Sequence, residues 1–367
     1  MSGGDTSMRA AVMRDHALHV EHVPAPVPGP GEVLVRTLAC GICGSDLHYL
    51  KHLDQMSAFA ERTGSAEHRR LSAARPVVMG HEFCAELVDH GPGTDKRLRT
   101  GARVSSMPVA ITSDAIHAIG YSHHYPGGYG ELMVLSERLL VPVPDALPTD
   151  LAALTEPMAV GRHAVEKANL GDDDVPLVIG CGPVGLAVIA WLRAKGAGPI
   201  VAADFSPARR ALAEALGADE VIDPAAQSPY LRWQDLAWPP GSDRAHPLAA
   251  IIGPRPRPGV IFDCVGMPGV LNAMLEGAMR GTRIVVVGVC MHDDRIEPLL
   301  GISKELNIQF VLAYTAEEFA DTMIALDDGR LQVEAIITDR VDIAGVPDAF
   351  ERLASPDDHA KILVRPS

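Results

Sequence analysis

Three stretches of the sequence contain the residue types that bind a transition metal. They hold, in chain order, Cys40, Cys43 and His48, then His81 and Glu82, then Glu156. A thiolate, an imidazole and a carboxylate from separate parts of a chain can form a three-ligand zinc site that leaves the fourth position open. Open coordination is typical of catalytic zinc, whereas four protein ligands close a structural site. The pattern therefore indicates a catalytic zinc centre.

A glycine-rich motif, GCGPVG at residues 180–185, indicates a dinucleotide site. It follows a short apolar run and opens a longer run of helical composition, which is the context that the motif requires. The first glycine permits a tight turn, the second the close approach of a pyrophosphate, and the third close packing of helix on strand. The N-terminus of the helix faces the phosphates. We therefore assign five residues to the cofactor site: Gly180, Gly182, Pro183, Val184 and Gly185.

The acidic residue Asp204 ends the next predicted strand, about twenty residues after the last glycine, where the dinucleotide fingerprint has a carboxylate. A carboxylate there accepts hydrogen bonds from the ribose hydroxyls and repels a 2′-phosphate, so it favours NAD over NADP. Arg209 could contact the adenosine ribose or a phosphate, which leaves NADP open. The alternative role for Asp204 is to cap the following helix. Three valines at or just beyond the ends of two later predicted strands, residues 260–265 and 283–288, are also assigned to the cofactor site: Val265, Val287 and Val289.

Length and composition restrict the class of protein. The 367 residues are too many for one ordinary core and favour two domains. The 47 Asp and Glu residues outnumber the 32 Lys and Arg, and the resulting charge of −15 disfavours nucleic acid as a partner. The six scattered cysteines are not a disulfide framework and fit a reducing cytoplasm. No apolar run approaches the ~20 residues that cross a membrane, so we expect no membrane partner.

The order of predicted elements indicates an α/β protein with two domains of different architecture. Short apolar runs separated by Pro and Gly predict a β-rich, barrel-like catalytic domain over residues 1–158, in which residues 1–7 form a disordered leader. Alternating strands and helices predict a doubly wound parallel sheet over 159–314. Residues 315–367 are expected to return to the catalytic domain.

Three further segments have a predicted place in this arrangement. Residues 49–75 are expected to be helical, as either a surface insertion or a wall of the substrate pocket. Residues 307–314 form a candidate edge strand for subunit pairing, and residues 361–364 a strand added to the first domain.

Five motifs together resemble one known family. They are GICGSDLH at 41–48, GHE at 80–82, GGYGEL at 127–132, TEP at 155–157 and GCGPVG at 180–185. In this order and spacing they resemble the zinc-dependent medium-chain alcohol dehydrogenases over essentially the whole chain from Met8. Glu156 stands where ethanol-type members have a cysteine ligand, so the chain is most similar to the sorbitol, threonine and butanediol dehydrogenase branch.

The resemblance implies a fold, an activity and a cofactor. The fold is a GroES-like catalytic domain with a Rossmann domain, and the activity is oxidation of a secondary alcohol, or reduction of its ketone, with NAD. It also implies a homodimer or homotetramer. Cys43, His81 and Glu156 would surround one catalytic zinc, with Glu156 bound directly or through water. Glu82 would move in to bind the metal while water or product exchanges.

The resemblance also implies a path for the substrate proton. Ser45 would accept the proton from the alcohol, and the cofactor ribose and then His48 would pass it to solvent. For His48 the alternative is a partly buried structural histidine. Asp46 is expected to orient His81, and Lys361 is a candidate partner of Glu82.

The sequence departs from the family between residues 89 and 131. Many members bind a second zinc there through four cysteines, but this segment contains none. We therefore predict no structural zinc and a loop that packs around Ile116, Ile119 and Tyr121. The pocket-lining segments mix apolar and charged residues, which favours a bulky, fairly apolar secondary alcohol over a sugar polyol.

Two other functions are compatible with a scaffold of this kind. A zinc-free quinone or enone reductase on the same scaffold would not need Cys43, His81 and Glu156. A non-catalytic binding or structural protein would tolerate the loss of Ser45 or His48. All five residues are present.

Overall fold

The computed structural model describes residues 7–63, 71–113, 115–242, 255–355 and 359–366. The chain forms two compact units, and each unit contains more than one segment. The first comprises Met1–Pro157, Ala316–Gly329 and Ile337–Ser367, and the second comprises Met158–Thr315 and Arg330–Ile336. Residues 330–336, which we expected in the first domain, therefore belong to the second unit.

The strands described in the first unit form one large sheet and two small ones. In the large sheet the strands lie in the order Leu140–Pro142, Arg103–Ser106, Glu82–His90, Glu32–Gly41, Lys361–Val364 and Ile337–Val341, with Leu132–Ser136 also paired to Glu32–Gly41. The small sheets contain Ala17–Pro24, Ser7–Arg14 and Val77–Val78, and the hairpin of Val109–Ile111 with Ile116–Ala118. The predicted β-rich character of this unit is confirmed.

The first and last strands described in this unit test two of the sequence predictions. The return strand Lys361–Val364 is confirmed, since it pairs antiparallel with the strand Glu32–Gly41. Ser7 already belongs to a strand, which corrects the predicted leader by one residue. Residues 1–6 lie outside the described part of the chain.

The predicted helical segment after the metal-binding motif is confirmed as far as Thr63. The helix Gly44–Thr63 departs from helical geometry at His52, where φ is −127° and ψ is 22°. Tyr49 and Leu53 of this helix are buried in the core of the first unit, so its first half is not a surface insertion. Residues 64–70 of the segment lie outside the described residues, and the helical prediction is wrong for residues 71–75, which form a turn and irregular backbone. The remaining helices of this unit are Thr149–Ala153, Ala316–Asp327 and Val346–Ala354, with 3-10 turns at Glu137–Leu139 and Ile343–Gly345.

The loop without cysteines is held by polar contacts as well as by packing. Ile119 is buried, but Ile116 is 51% exposed at the end of its hairpin, so the predicted packing around Ile116 is wrong. The carboxylate of Glu137 accepts hydrogen bonds from the backbone N–H groups of Asp95 (2.6 Å) and Arg97 (3.2 Å). Burial raises the pKa of Glu137, but these N–H groups lower it by more, so the pKa lies below its usual range.

The second unit is a doubly wound parallel sheet, as predicted. Its strands lie in the order Glu220–Ile222, Val201–Ala203, Val175–Ile179, Gly259–Asp263, Arg283–Val286 and Asn307–Phe310. The helices of its described residues are Pro183–Ala194, Pro207–Ala215, Pro229–Ala237, Val270–Gly277 and Pro298–Lys304, with a 3-10 turn at Glu334–Ile336. The helix Thr155–Lys167 begins in the first unit and continues in the second. The strand order reverses beside Val175–Ile179, and ligands of such sheets bind at the carboxyl end of the strands at this point. Across the described helices, none has the length and apolar character of a membrane span.

The Glu137 contacts predict a pH-dependent contribution to stability. Glu137→Gln should lower the Tm by about 2–4 °C at pH 7, because a charged acceptor of two backbone N–H groups is lost. Since the folded pKa is depressed, this contribution is fully present above the unfolded pKa and is lost as the pH falls through the folded pKa. The difference in Tm between the two proteins should therefore shrink from pH 7 to pH 4 in calorimetry.

The matched control is Glu214→Gln, the same change at an exposed position. It should leave the Tm unchanged at both pH values. A Glu137→Gln difference that stays constant with pH would contradict the assigned role of the carboxylate.

Candidate metal centre and dinucleotide site

Sheet pairing brings two of the sequence motifs together in the first unit. Gly41, at the end of one strand, is the direct antiparallel partner of Glu82, at the start of the next. As a result Cys43, His81 and Glu82 each offer a ligand atom, and these atoms lie within 4.8 Å of one another. Among the described residues this is the group of Cys, His and carboxylate side chains that is close enough to hold a metal. A sulfur, a nitrogen and an oxygen donor suit zinc.

The turn before His81 depends on Gly80. Its φ is +101°, which L side chains rarely adopt. A Cβ at this position would lie 2.7 Å from the Tyr129 ring and 2.9 Å from Sγ of Cys40. Cys40 is fully buried beneath this turn and does not belong to the group of potential ligands among the described residues.

Glu156, which we expected as a metal ligand, lies at the start of the helix Thr155–Lys167 and is nearly buried. It is not part of the three-residue group that the described structure brings together. Burial lowers the pKa of Lys361, but Glu82, Cys43 and Glu156 raise it by more, so it lies above its ordinary value. Glu156 is therefore close enough to act on the charges of the centre, and its role as a ligand stays a prediction.

The Glu82 carboxylate is paired with a buried lysine. Nζ of Lys361 lies 2.7 Å from each carboxylate oxygen of Glu82 and donates a third hydrogen bond of 3.0 Å to the carbonyl of Ile42. All three ammonium protons thus have an acceptor. The predicted contact between Lys361 and Glu82 is confirmed, and it keeps the charge of Glu82 neutralised in the core.

The buried carboxylate of Asp46 connects the other parts of the centre. It accepts hydrogen bonds from the backbone N–H of Cys43 (3.0 Å) and from the hydroxyls of Tyr121 and Tyr129 (2.6 Å each). Burial raises the pKa of Asp46, but His81 and the phenols lower it by more, so its pKa lies below the usual range. Asp46 is therefore an anion that several donors hold in place.

Asp46 also lies beside the imidazole of His81. Nδ1 of His81 is 3.4 Å from Oδ1 of Asp46, but the contact lacks hydrogen-bond geometry. The predicted proximity of the two residues is confirmed. Burial lowers the pKa of His81, but Asp46 and Cys43 raise it by more, so it lies well above its ordinary value. A metal at this site would displace a proton from His81.

The two residues of the predicted proton path occupy the helix that follows Cys43. Oγ of Ser45 lies 2.9 Å from the hydroxyl of Tyr121. His48 is half-buried, and its ring centroid is 6.2 Å from that of His52. The relay role of His48 stays a prediction. Sequence reasoning assigned Tyr121 only to loop packing and missed its hydroxyl, because nothing in the sequence shows that residue 121 folds back onto residues 45 and 46.

The glycine-rich motif of the second unit forms an open cradle. Gly180 has a φ of +91°, and a Cβ on Gly185 would lie 1.8 Å from the carbonyl oxygen of Gly180. A Cβ on Gly182 would meet only the guanidinium of Arg209, at 4.0 Å. The helix beginning at Pro183 directs its free N–H groups towards this space, which suits a phosphate.

Asp204 connects the glycine-rich motif to the loop at Ser206 through hydrogen bonds. Its carboxylate accepts hydrogen bonds from the backbone N–H groups of Cys181 and Ser206, both at 2.8 Å. Ser206, and not Asp204, is the N-cap of the helix Pro207–Ala215. Each carboxylate oxygen keeps a lone pair for a further donor. The assignment of Asp204 to ribose binding stays a prediction.

The three predicted valines lie near the carboxyl end of the same sheet. Cγ2 of Val265 would be 2.7 Å from a Cβ on Gly180. The N–H of Val287 donates to the carbonyl of Asp263, and Val289 is 52% exposed. The structure therefore brings these three valines to the carboxyl end of the sheet, where the glycine-rich motif also lies.

Comparison with known proteins finds family models that match two regions of the chain. Residues 29–145 match the alcohol dehydrogenase GroES-like domain, and residues 183–328 match the zinc-binding dehydrogenase family. The (R,R)-butanediol dehydrogenase of Neisseria gonorrhoeae is 30% identical over 365 residues, which cover 95% of this chain and 97% of that protein. An L-threonine 3-dehydrogenase of Rhizobium rhizogenes is 28% identical over 349 residues, 92% of each chain.

A solved structure is similar over the same length. The crystal structure of 2R,3R-butanediol dehydrogenase from Bacillus subtilis has a TM-score of 0.78 at 28% identity and covers 98% of this chain and 100% of that one. The predicted GroES-like and Rossmann folds are confirmed. The chain belongs to the zinc-dependent medium-chain alcohol dehydrogenase family.

Proposed function

We propose that the protein transfers a hydride between a secondary alcohol, or its ketone, and NAD, with zinc as the catalytic metal. The observation that carries this proposal is the proximity of Cys43, His81 and Glu82, whose ligand atoms lie within 4.8 Å of one another. The relatives support the substrate class, since the butanediol and threonine dehydrogenases are named for secondary alcohols. The open cradle around Gly182 supports the dinucleotide.

The residues of the centre fit a single zinc ion. We propose Cys43, His81 and Glu156 as its ligands. Glu82 is proposed as the exchanging carboxylate, because both of its oxygens are already held by Lys361. When bound, zinc is a Lewis acid that polarises the substrate oxygen and lowers the pKa of the alcohol. The absence of cysteine between residues 89 and 131 supports one zinc per chain.

Ser45 and His48 are proposed to move the alcohol proton. Ser45 is close to the metal centre through its neighbour Asp46, and its hydroxyl can accept the proton from the substrate. The rings of Tyr49 and Tyr121 stack at 3.9 Å, and Tyr121 lies 5.2 Å from the ring of His81. The half-buried ring of Tyr121 is proposed to face the substrate, and such an aromatic surface would favour a bulky, fairly apolar substrate over a sugar polyol.

The first prediction concerns the metal. The wild type should contain about one zinc per chain, and Cys43→Ser should lose it. Turnover of a panel of secondary alcohols, followed by NADH absorbance, should fall about 10³-fold, because a Lewis acid worth several kcal/mol is removed. NADH binding should stay within a factor of about two, since the proposed cofactor residues are unchanged.

The matched control is Cys40→Ser, which changes the other cysteine of the C-x-x-C pair. It should keep the zinc. A metal-free wild type with full reductase activity would instead favour the zinc-free quinone or enone reductase.

The second prediction concerns the choice of cofactor. Asp204→Ala should lower the ratio of kcat/KM for NAD over NADP by about 10- to 100-fold, because the charge that repels a 2′-phosphate is lost. Asp204→Asn keeps an oxygen for the N–H of Cys181, and it removes the charge together with the acceptor for the N–H of Ser206. If both variants keep the wild-type ratio, Asp204 does not select the cofactor.

The protein is also proposed to act in the cytoplasm as a homodimer, or as a homotetramer built from such dimers. Its six cysteines are all free in the described structure, which suits a reducing compartment. The edge strand Asn307–Phe310 has exposed side chains throughout, and Phe310 and Leu312 are 66% and 84% exposed. An unpaired apolar edge favours pairing with the same strand of a second copy.

The third prediction tests this edge. Phe310→Lys should halve the mass measured by light scattering, because a charge on the edge strand opposes pairing. Ile324→Lys places the same charge at an exposed apolar position of the first unit and should leave the mass unchanged. A wild type with the mass of one chain would contradict the proposed assembly.

A further inference from the structure

The hydroxyl group of Ser45 belongs to a short chain of hydrogen bonds. Its Oγ lies 2.9 Å from the hydroxyl oxygen of Tyr121, and that hydroxyl lies 2.6 Å from Oδ1 of Asp46. Tyr121 is thus the link between the proposed proton acceptor and the buried carboxylate of the metal centre.

The chemistry of the three groups fixes the direction of this chain. Asp46 already receives an N–H from Cys43 and an O–H from Tyr129, as an ionised carboxylate does. Such a carboxylate only accepts, and a phenol has a single proton, so the proton of Tyr121 points at Asp46. The oxygen of Tyr121 must then accept its bond from Ser45. The Ser45 proton is directed at Tyr121, and the lone pairs of Ser45 are left for another donor.

Packing holds the phenol in this position. The Tyr121 ring stacks on the buried ring of Tyr49, with centroids 3.9 Å apart and an angle of 15° between the planes. Its other neighbour is the His81 ring, at 5.2 Å. Stacking of this kind restricts the ring to one orientation, so its hydroxyl is a fixed acceptor.

We propose that Tyr121 is a positioning residue that orients the hydroxyl of Ser45, so that Ser45 accepts a hydrogen bond from the bound alcohol and does not donate one. This inference rests on the proposed function, in which Ser45 receives the alcohol proton. The orientation applies to the bound alcohol before any proton moves. It requires a hydroxyl oxygen at position 121, and an aromatic ring there is not sufficient.

Tyr121→Phe removes that oxygen and keeps the ring. The Ser45 hydroxyl then rotates freely, and kcat should fall about tenfold with little change in KM, a part of the 10²- to 10⁴-fold that a positioned proton acceptor supplies. Tyr129→Phe is the matched control, because it removes the second phenol bond to Asp46, also of 2.6 Å, at a residue with no hydrogen bond to Ser45. It should reduce kcat by less than about threefold.

A double-mutant cycle with Ser45→Ala separates orientation from general damage. In the Ser45→Ala background, Tyr121→Phe should change kcat by less than about twofold, because the group it orients is already gone. The same cycle is measured without activity through the Tm of the metal-free proteins, where the shift of the double variant should be smaller than the sum of the single shifts. Zinc content should equal that of the wild type in both phenol variants.

Three results would overturn the role of Tyr121. They are equal losses of kcat in Tyr121→Phe and Tyr129→Phe, a Tyr121→Phe effect that multiplies fully with Ser45→Ala, or additive shifts in Tm. These failures differ from failure of the proposed function, which would show as a zinc-loaded wild type that oxidises no alcohol and reduces no ketone. In that case the role of Tyr121 would fall with it.

Discussion

The metal centre depends on one buried anion, the carboxylate of Asp46. Burying a charge is unfavourable unless donors compensate it, and Asp46 is fully buried. Its partners come from two segments: the backbone N–H of Cys43, and the hydroxyls of Tyr121 and Tyr129 in residues 119–131. Because these donors hold the carboxylate in place, the loop that contains Cys43 and the anion beside His81 are fixed before any metal binds. A metal site requires such preorganisation.

A second buried charge has a different function in the same region. Asp46 is held by neutral hydrogen-bond donors, whereas Glu82 forms a buried ion pair with Lys361. Removing either partner of such a pair leaves an uncompensated charge, which is more destabilising than the loss of both. The carboxylates of Asp46 and Glu82 belong to the same region, but different groups donate hydrogen bonds to them. We therefore expect them to have different roles.

The sequence alone was sufficient to predict those parts of the protein that are built from residues close together in the chain. The dinucleotide cradle lies within about thirty residues of one strand–helix–strand unit, so its glycines, its helix and Asp204 could be placed by spacing alone. The metal centre draws on residues 43 to 361, and its assembly depends on the strand register that pairs Gly41 with Glu82. Motif resemblance supplied Cys43 and His81, but no pattern in the chain encodes that register.

The misses have the same physical origin. The hydrogen bonds of the Tyr121 hydroxyl could not be predicted, because its partners Ser45 and Asp46 lie about 75 positions away in the sequence. Ile116 was expected to pack within the loop, yet it lies beside the turn of a two-stranded hairpin and is 51% exposed. The return of residues 330–336 to the second unit has no compositional signal. Each of these features is set by tertiary contacts that outweigh local preference.

The pairing of Lys361 with Glu82 also constrains how the nascent chain acquires its structure. The ribosome releases the segments of Cys43 and His81 long before residue 361, and the whole of residues 158–315 emerges in between. Until the strand Lys361–Val364 is added to the large sheet, the Lys361 partner of Glu82 is missing and the sheet has an open edge beside Cys40 and Gly41. The first unit thus reaches its final form only after the second has been synthesised, although it begins first.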